Sequence, residues 1–242
     1  MTSNNPYNPT LVALDTPDLK HALSLAKSLA NKVGGMKIGL EFFNANGPQG
    51  VKQIVDLGMP VFFDLKLSDI PNTVAAGIRS LLPLEAFIIN IHILGGRQMM
   101  QAAVAAINEA EGLGYARPML IGVTIVTSME DADMQELGIN RSATEQVVHL
   151  AKLAQDCGLD GVVCSPHEIA AIKAACGAEF KTIVPGIRPK GTSVNDQKRV
   201  MTPAEAIKQG ADYLVIGRPI TGADSPENMA DDIWQSVRYA DL

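Results

Sequence analysis

A chain of 242 residues with 47% hydrophobic and 19% charged side chains carries enough apolar mass to bury a real core, which argues against a disordered protein. Twenty Lys and Arg against 26 Asp and Glu give a formal charge of −6 with no long basic run, which disfavours nucleic acid or an anionic membrane as a partner. No apolar run approaches the ~18 residues of a membrane span, and the odd set Cys157, Cys164 and Cys176 contains no Cys-x-x-Cys pair, so neither a disulfide framework nor a zinc site is indicated and a cytosolic location is expected.

In chain order, residues 1–10 read as a polar, turn-forming tail and 11–242 as one domain. Residues 11–15 read as a strand, and Thr16, Pro17 and Asp18 open a helix with Leu19, Leu23, Ala26 and Ala30 at helical spacing. Gly34 and Gly35 end that helix, 36–39 form a second strand, and a helical stretch over 50–57 stops at Gly58. The third strand starts at Pro60 with Val61, Phe62 and Phe63, and Asp64, Lys66 and Asp69 follow within six positions. Because strand side chains alternate, Asp64 and Lys66 should point the same way if the strand continues that far. A helix over 71–82 begins at Pro71, where a missing N–H does no harm.

The alternation continues with strands over 87–92, 119–125, 161–164, 182–184 and 213–216, and with helices over 97–110, 143–156, 166–175, 203–209 and 226–239. Eight strand-then-helix units with continuous apolar strands predict an α/β fold, a single-domain (β/α)8 TIM barrel with a parallel sheet. An open doubly wound sheet is the alternative, but no Gly-x-Gly-x-x-Gly follows the first strand.

Barrel active sites lie at the carboxyl ends of the strands. There the chain places Asp15, Lys37, Asp64, Lys66, the 90–92 segment with His92, Thr127, Ser128, Arg188, Gly217 and Arg218. Gly186 and Gly217 would let backbone N–H groups approach an anion after strands seven and eight, and Arg188 and Arg218 would bring guanidinium donors to it, so a phosphorylated substrate is expected. The polar segment between Arg188 and Pro203 is expected to be a lid over that site, with Gln197 as an amide donor.

Asp64, Lys66 and Asp69 leave several chemistries open. Flanking carboxylates favour a protonated Lys66, which suits proton donation and disfavours a Schiff-base lysine. Asp15, Asp64 and Asp69 could offer oxygen ligands to a divalent metal, against competition from Lys66, and a structural ion-pair network is the plainest reading. His21, His149 and His167 read as surface or packing residues, and His92 has no assigned role.

Asp64-x-Lys66-x-x-Asp69-Ile70-Pro71-Asn72-Thr73 resembles the signature of the orotidine 5′-phosphate decarboxylase family. Asp15, the Lys37 segment, the run ending in Arg188, the Gln197 segment and the Gly217-Arg218 turn appear in that family's order. The resemblance implies decarboxylation of orotidine 5′-phosphate to UMP and CO2 in pyrimidine synthesis, with no metal and no cofactor. It implies that Lys66 protonates the C6 carbanion, that Asp64 lies near the departing carboxylate, and that Asp15 and Lys37 bind the ribose. Gln197 and Arg218 would contact the phosphate, with Arg188 close by, and Thr127 or Ser128 the pyrimidine. A homodimer is implied as well, with Asp69 and Thr73 reaching into the neighbouring subunit's site. The nearest alternative is a Mg²⁺-dependent sugar-phosphate decarboxylase or aldol-type synthase sharing the Asp-x-Lys-x-x-Asp pattern; a catalytically silent phosphate-binding barrel is the other.

Overall fold

Short apolar runs covered on both faces become strands, and the amphipathic stretches between them become helices. The computed structural model describes residues 8–189 and 200–238. The first half runs β1 (Thr10–Ala13), α1 (Leu19–Leu29), β2 (Gly35–Ile38), α2 (Leu40–Val55), β3 (Val61–Leu67), α3 (Pro71–Leu81), β4 (Ile88–His92) and α4 (Arg97–Asn108). The second half runs β5 (Met119–Val123), α5 (Asp131–Glu136), α6 (Ala143–Asp156), β6 (Gly161–Val163), α7 (Ile169–Cys176), β7 (Lys181–Val184), α8 (Pro203–Lys208), β8 (Tyr213–Ile216), α9 (Arg218–Thr221) and α10 (Pro226–Arg238).

Each strand pairs in parallel with the next, and β8 returns to β1 with Val215 opposite Leu11. This closure makes the expected (β/α)8 barrel and removes the open sheet. Six side chains, Leu11, Phe62, Ile88, Ile121, Ile183 and Tyr213, plug the N-terminal half of the barrel. A larger apolar layer fills the space between the sheet and the helices. The floor is therefore packed, and a ligand can enter only from the C-terminal face.

Beyond shifts of a few residues at element ends, the described elements depart from the expected ones as follows. β1 begins at Thr10, because Asn8 Oδ1 accepts the Thr10 N–H at 3.0 Å while Asn8 Nδ2 donates to the Lys32 carbonyl at 2.8 Å. α2 begins at Leu40 and not near residue 50: it is two helical pieces joined across Gly47, whose φ of 60° and ψ of −170° are not helical. Pro48 restarts the helix where a missing N–H is tolerated, so turn-forming residues at 46–48 hide a kink inside a helix. α5 and α9 are additional, each too short for the 3.6-residue period to show in the sequence. Among the described residues, no helix is long and apolar enough to cross a membrane.

Candidate active site

Strand parity builds the site. Above the apolar plug, the next inward positions are Ala13 on β1, Lys37 on β2, Asp64 on β3 and Asn90 on β4, with Val123, Val163 and Val215 on β5, β6 and β8. Three of these seven side chains are charged or amide and four are apolar.

The charged half is a chain of short contacts. Lys37 Nζ lies 2.9 Å from Asp15 Oδ1 and 3.4 Å from Asp64 Oδ2, and Lys66 Nζ lies 2.6 Å from Asp64 Oδ1. Lys37 and Asp64 are well shielded, with side chains 8% and 15% exposed, whereas Asp15 is 56% exposed at the mouth. Gly39 leaves room for the first pair, since a Cβ there would lie 3.0 Å from Lys37 Nζ.

Lys66 does not arrive by simple alternation. β3 and β4 pair Phe63 with Ile89 and Leu67 with Ile91, so residues 64–66 stand opposite Asn90 alone. Lys66 has φ +52°, a left-handed conformation costing a non-glycine residue about 1–2 kcal/mol. Its N–H donates to Asn90 Oδ1 at 2.7 Å, and Asn90 Nδ2 donates to Asp64 Oδ1 at 2.7 Å. The bulge thus turns the ammonium back onto Asp64.

Two cavities flank Asp64. The first, about 280 Å³, is walled mainly by apolar side chains including Ile125, Val163, Ile183 and Val215, with Asp64, Lys66, Thr127 and Ser128 as its polar members. The second, about 180 Å³, is lined by Asp15, Lys37, Gly186, Arg188, Gly217, Arg218 and Thr221. Arg188 is buried, and its Nη1 donates to the Ile187 carbonyl at 2.9 Å. Burial first and the charge of Arg218 second lower the proton affinity of its guanidinium, so an anion between the two would relieve both effects.

Ten of the twelve expected site residues line these cavities or lie outside the described set: Asp15, Lys37, Asp64, Lys66, Thr127, Ser128, Arg188, Gly217 and Arg218 line them, and Gln197 lies outside with most of the expected lid. Asp69 and Thr73 do not join them. Both are exposed at the start of α3, and Asp69 Oδ1 accepts the Ile70 N–H at 2.6 Å while no ion pair links it to Lys66 among the described residues. His21, His149 and His167 are exposed, as expected. His92 is half-buried; burial first and the Lys66 charge second lower its pKa, against an opposing pull from Asp64. Thr221 and the contacts of Asn90 to Lys66 and Asp64 escaped the sequence reading. The available signal for Asn90 was an amide inside the apolar run 87–91, since a buried polar side chain needs a partner.

Comparison with known proteins points to one family. The profile of the orotidine 5′-phosphate decarboxylase / HUMPS family matches residues 9–233. A protein named orotidine 5′-phosphate decarboxylase from Paramagnetospirillum magneticum is 51% identical over 93% of this chain and 97% of its own length. One of the same name from Moorella thermoacetica is 50% identical over 89% of this chain and 86% of its own. The crystal structure of orotidine 5′-phosphate decarboxylase from Lactobacillus acidophilus superposes with a TM-score of 0.84 at 33% identity, covering 95% of this chain and 99% of that one. The chain therefore belongs to the orotidine 5′-phosphate decarboxylase / HUMPS family.

Proposed function

We propose that this protein is a carboxy-lyase that converts orotidine 5′-phosphate to UMP and CO2 without a metal or organic cofactor, with Lys66 as the proton donor. The observation that carries the reading is the place of Asp64: it borders an apolar cavity on one side and an arginine-lined cavity on the other, with Lys66 and Lys37 at its two oxygens. A nucleotide spans such a site naturally. Its phosphate takes the Arg188, Arg218 and Gly217 end, with Gln197 as a further donor, its ribose hydroxyls meet Asp15 and Lys37, and its base lies by Thr127 and Ser128.

The scissile carboxylate then sits near Asp64 and the apolar wall. When the C6–carboxylate bond breaks, its electron pair stays on C6 and CO2 leaves. Lys66 Nζ gives its proton to C6, becomes a neutral amine, and is reprotonated from solvent. The preorganised ammonium stabilises the carbanion electrostatically, and repulsion between Asp64 and the substrate carboxylate raises the ground state. Asp64 already accepts from Lys66 and Asn90 and faces Lys37, so it has little capacity left for a divalent metal. This favours the decarboxylase over a Mg²⁺-dependent sugar-phosphate enzyme of the same family. Incubation with orotidine 5′-phosphate in excess EDTA should yield UMP at the rate seen without EDTA; folded protein giving no UMP would sink the assignment.

The site is completed in a homodimer under this reading, with Asp69 and Thr73 entering the neighbouring subunit's pocket. Leu40, Ile70 and Leu94, each exposed, follow β2, β3 and β4 on the same rim and support an interface there. A cytosolic enzyme would also keep Cys157, Cys164 and Cys176 out of disulfides, as they are here.

A further inference from the structure

We infer that Asn90 is a positioning residue for this reaction: its buried carboxamide holds the Lys66 backbone in its left-handed turn and Asp64 in one orientation, so the ammonium is aimed before substrate arrives. The inference rests on the decarboxylase reading above. Asn90 is fully buried and lines neither cavity, so it acts only through its neighbours.

Its contacts are fixed by chemistry. The Lys66 N–H has no ladder partner where residues 64–66 bulge opposite Asn90, and it can only donate, so the Asn90 atom facing it is the oxygen. That leaves the Asn90 NH₂ to face Asp64 Oδ1, the same oxygen that meets Lys66 Nζ. One amide therefore ties together the backbone of the proton donor and the carboxylate that orients its side chain. Threonine, of similar size, also has a donor and an acceptor but on a single oxygen, whereas the amide presents them on two separate atoms. Aspartate keeps the acceptor but loses the donor when ionised, and leucine loses both.

The test compares wild type, Asn90→Asp and Asn90→Leu for turnover of orotidine 5′-phosphate, for UMP affinity and for thermal melting. A misaimed donor should lower kcat by about 100-fold in both variants, while UMP affinity stays within about threefold because the phosphate and ribose contacts lie elsewhere. Asn90→Asp should also recover turnover relative to wild type as pH falls from roughly 8 to 5, because a protonated carboxyl at position 90 can again donate to Asp64. The comparison with wild type cancels the titration of nearby His92, and Lys37 and Lys66 are the other charged groups at Asp64. Wild-type turnover with kcat of both variants within threefold of it would overturn the role of Asn90, as would a loss of UMP affinity proportional to the loss of kcat, which marks a collapsed pocket. Wild type that forms no UMP overturns the decarboxylase reading and this inference with it. If Asn90→Leu fails to fold, the near-isosteric Asn90→Asp decides alone.

Discussion

Lys66 concentrates the chemistry because three unlike forces meet at one side chain: a strained backbone, a carboxylate at 2.6 Å and an apolar wall. Replacing it with alanine should leave the fold and UMP binding in place while kcat falls by at least about 10³, since both the proton and the cation that stabilises the carbanion are lost. Single-turnover assays and UMP titration of Lys66→Ala measure the two separately. His92 makes the complementary case for pH. Its pKa is lowered in the fold, so the folded state prefers the neutral imidazole. That contribution to stability is fully present above the ordinary histidine pKa of about 6.5 and is lost as pH falls through the folded value. Urea melts from about pH 7 down to 5 should therefore show stability declining in the wild type and a flatter profile in His92→Gln. The strand position of these residues was legible in the sequence; the contacts that set their properties were not, because each comes from a strand distant in the chain.

At the level of elements, the barrel carries a repeated fastening on the face opposite the site. Asp160, just before β6, accepts the Leu120 N–H of β5 at 2.7 Å and meets Arg117 at 3.0 Å. Asp212, just before β8, accepts the Thr182 N–H of β7 at 2.8 Å and meets Lys173 at 2.6 Å. Both carboxylates tie the second residue of one strand to the entry of the next, which sets register at the N-terminal ends. Asp212→Ala leaves Lys173 and the Thr182 N–H without that acceptor, so it should destabilise the fold by about 2–4 kcal/mol. Its kcat should stay unchanged, because barrel chemistry belongs to the other face; denaturant midpoints and steady-state assays give the two numbers. α2 teaches the opposite lesson. Its Asn46, Gly47 and Pro48 are turn-forming residue types, yet the helix continues across them because one glycine takes the non-helical φ/ψ and the proline restarts the coil.

For the whole molecule, closure of eight strands converts residues scattered from Asp15 to Arg218 into one mouth. The same closure leaves Asp69 and Thr73 exposed on the rim, and among the described residues Lys66 pairs with Asp64 and not with Asp69. If they serve a neighbouring site, Lys66→Ala and Asp69→Ala should each be inactive alone but regain activity when mixed and allowed to exchange subunits. One site in each mixed dimer is then wild type at both positions, so about a quarter of wild-type activity is expected at equal amounts. No recovery from subunits shown by native mass spectrometry to have exchanged would place Asp69 in its own subunit's chemistry or in none.

The sequence by itself determined the alternation of strand and helix, the barrel, and the identity of the charged residues at the strand ends, because local periodicity and strand parity act over a few neighbouring residues. It also placed Arg188, Gly217 and Arg218 together, since both turns follow adjacent strands of one closed sheet. Only the tertiary structure decided the two-residue register shift between β3 and β4, the left-handed Lys66 and the bridging role of Asn90. Asn90 lies 24 residues from Lys66 and 26 from Asp64. The pairing of strands that far apart is settled by packing and closure of the whole barrel, and no local pattern carries it.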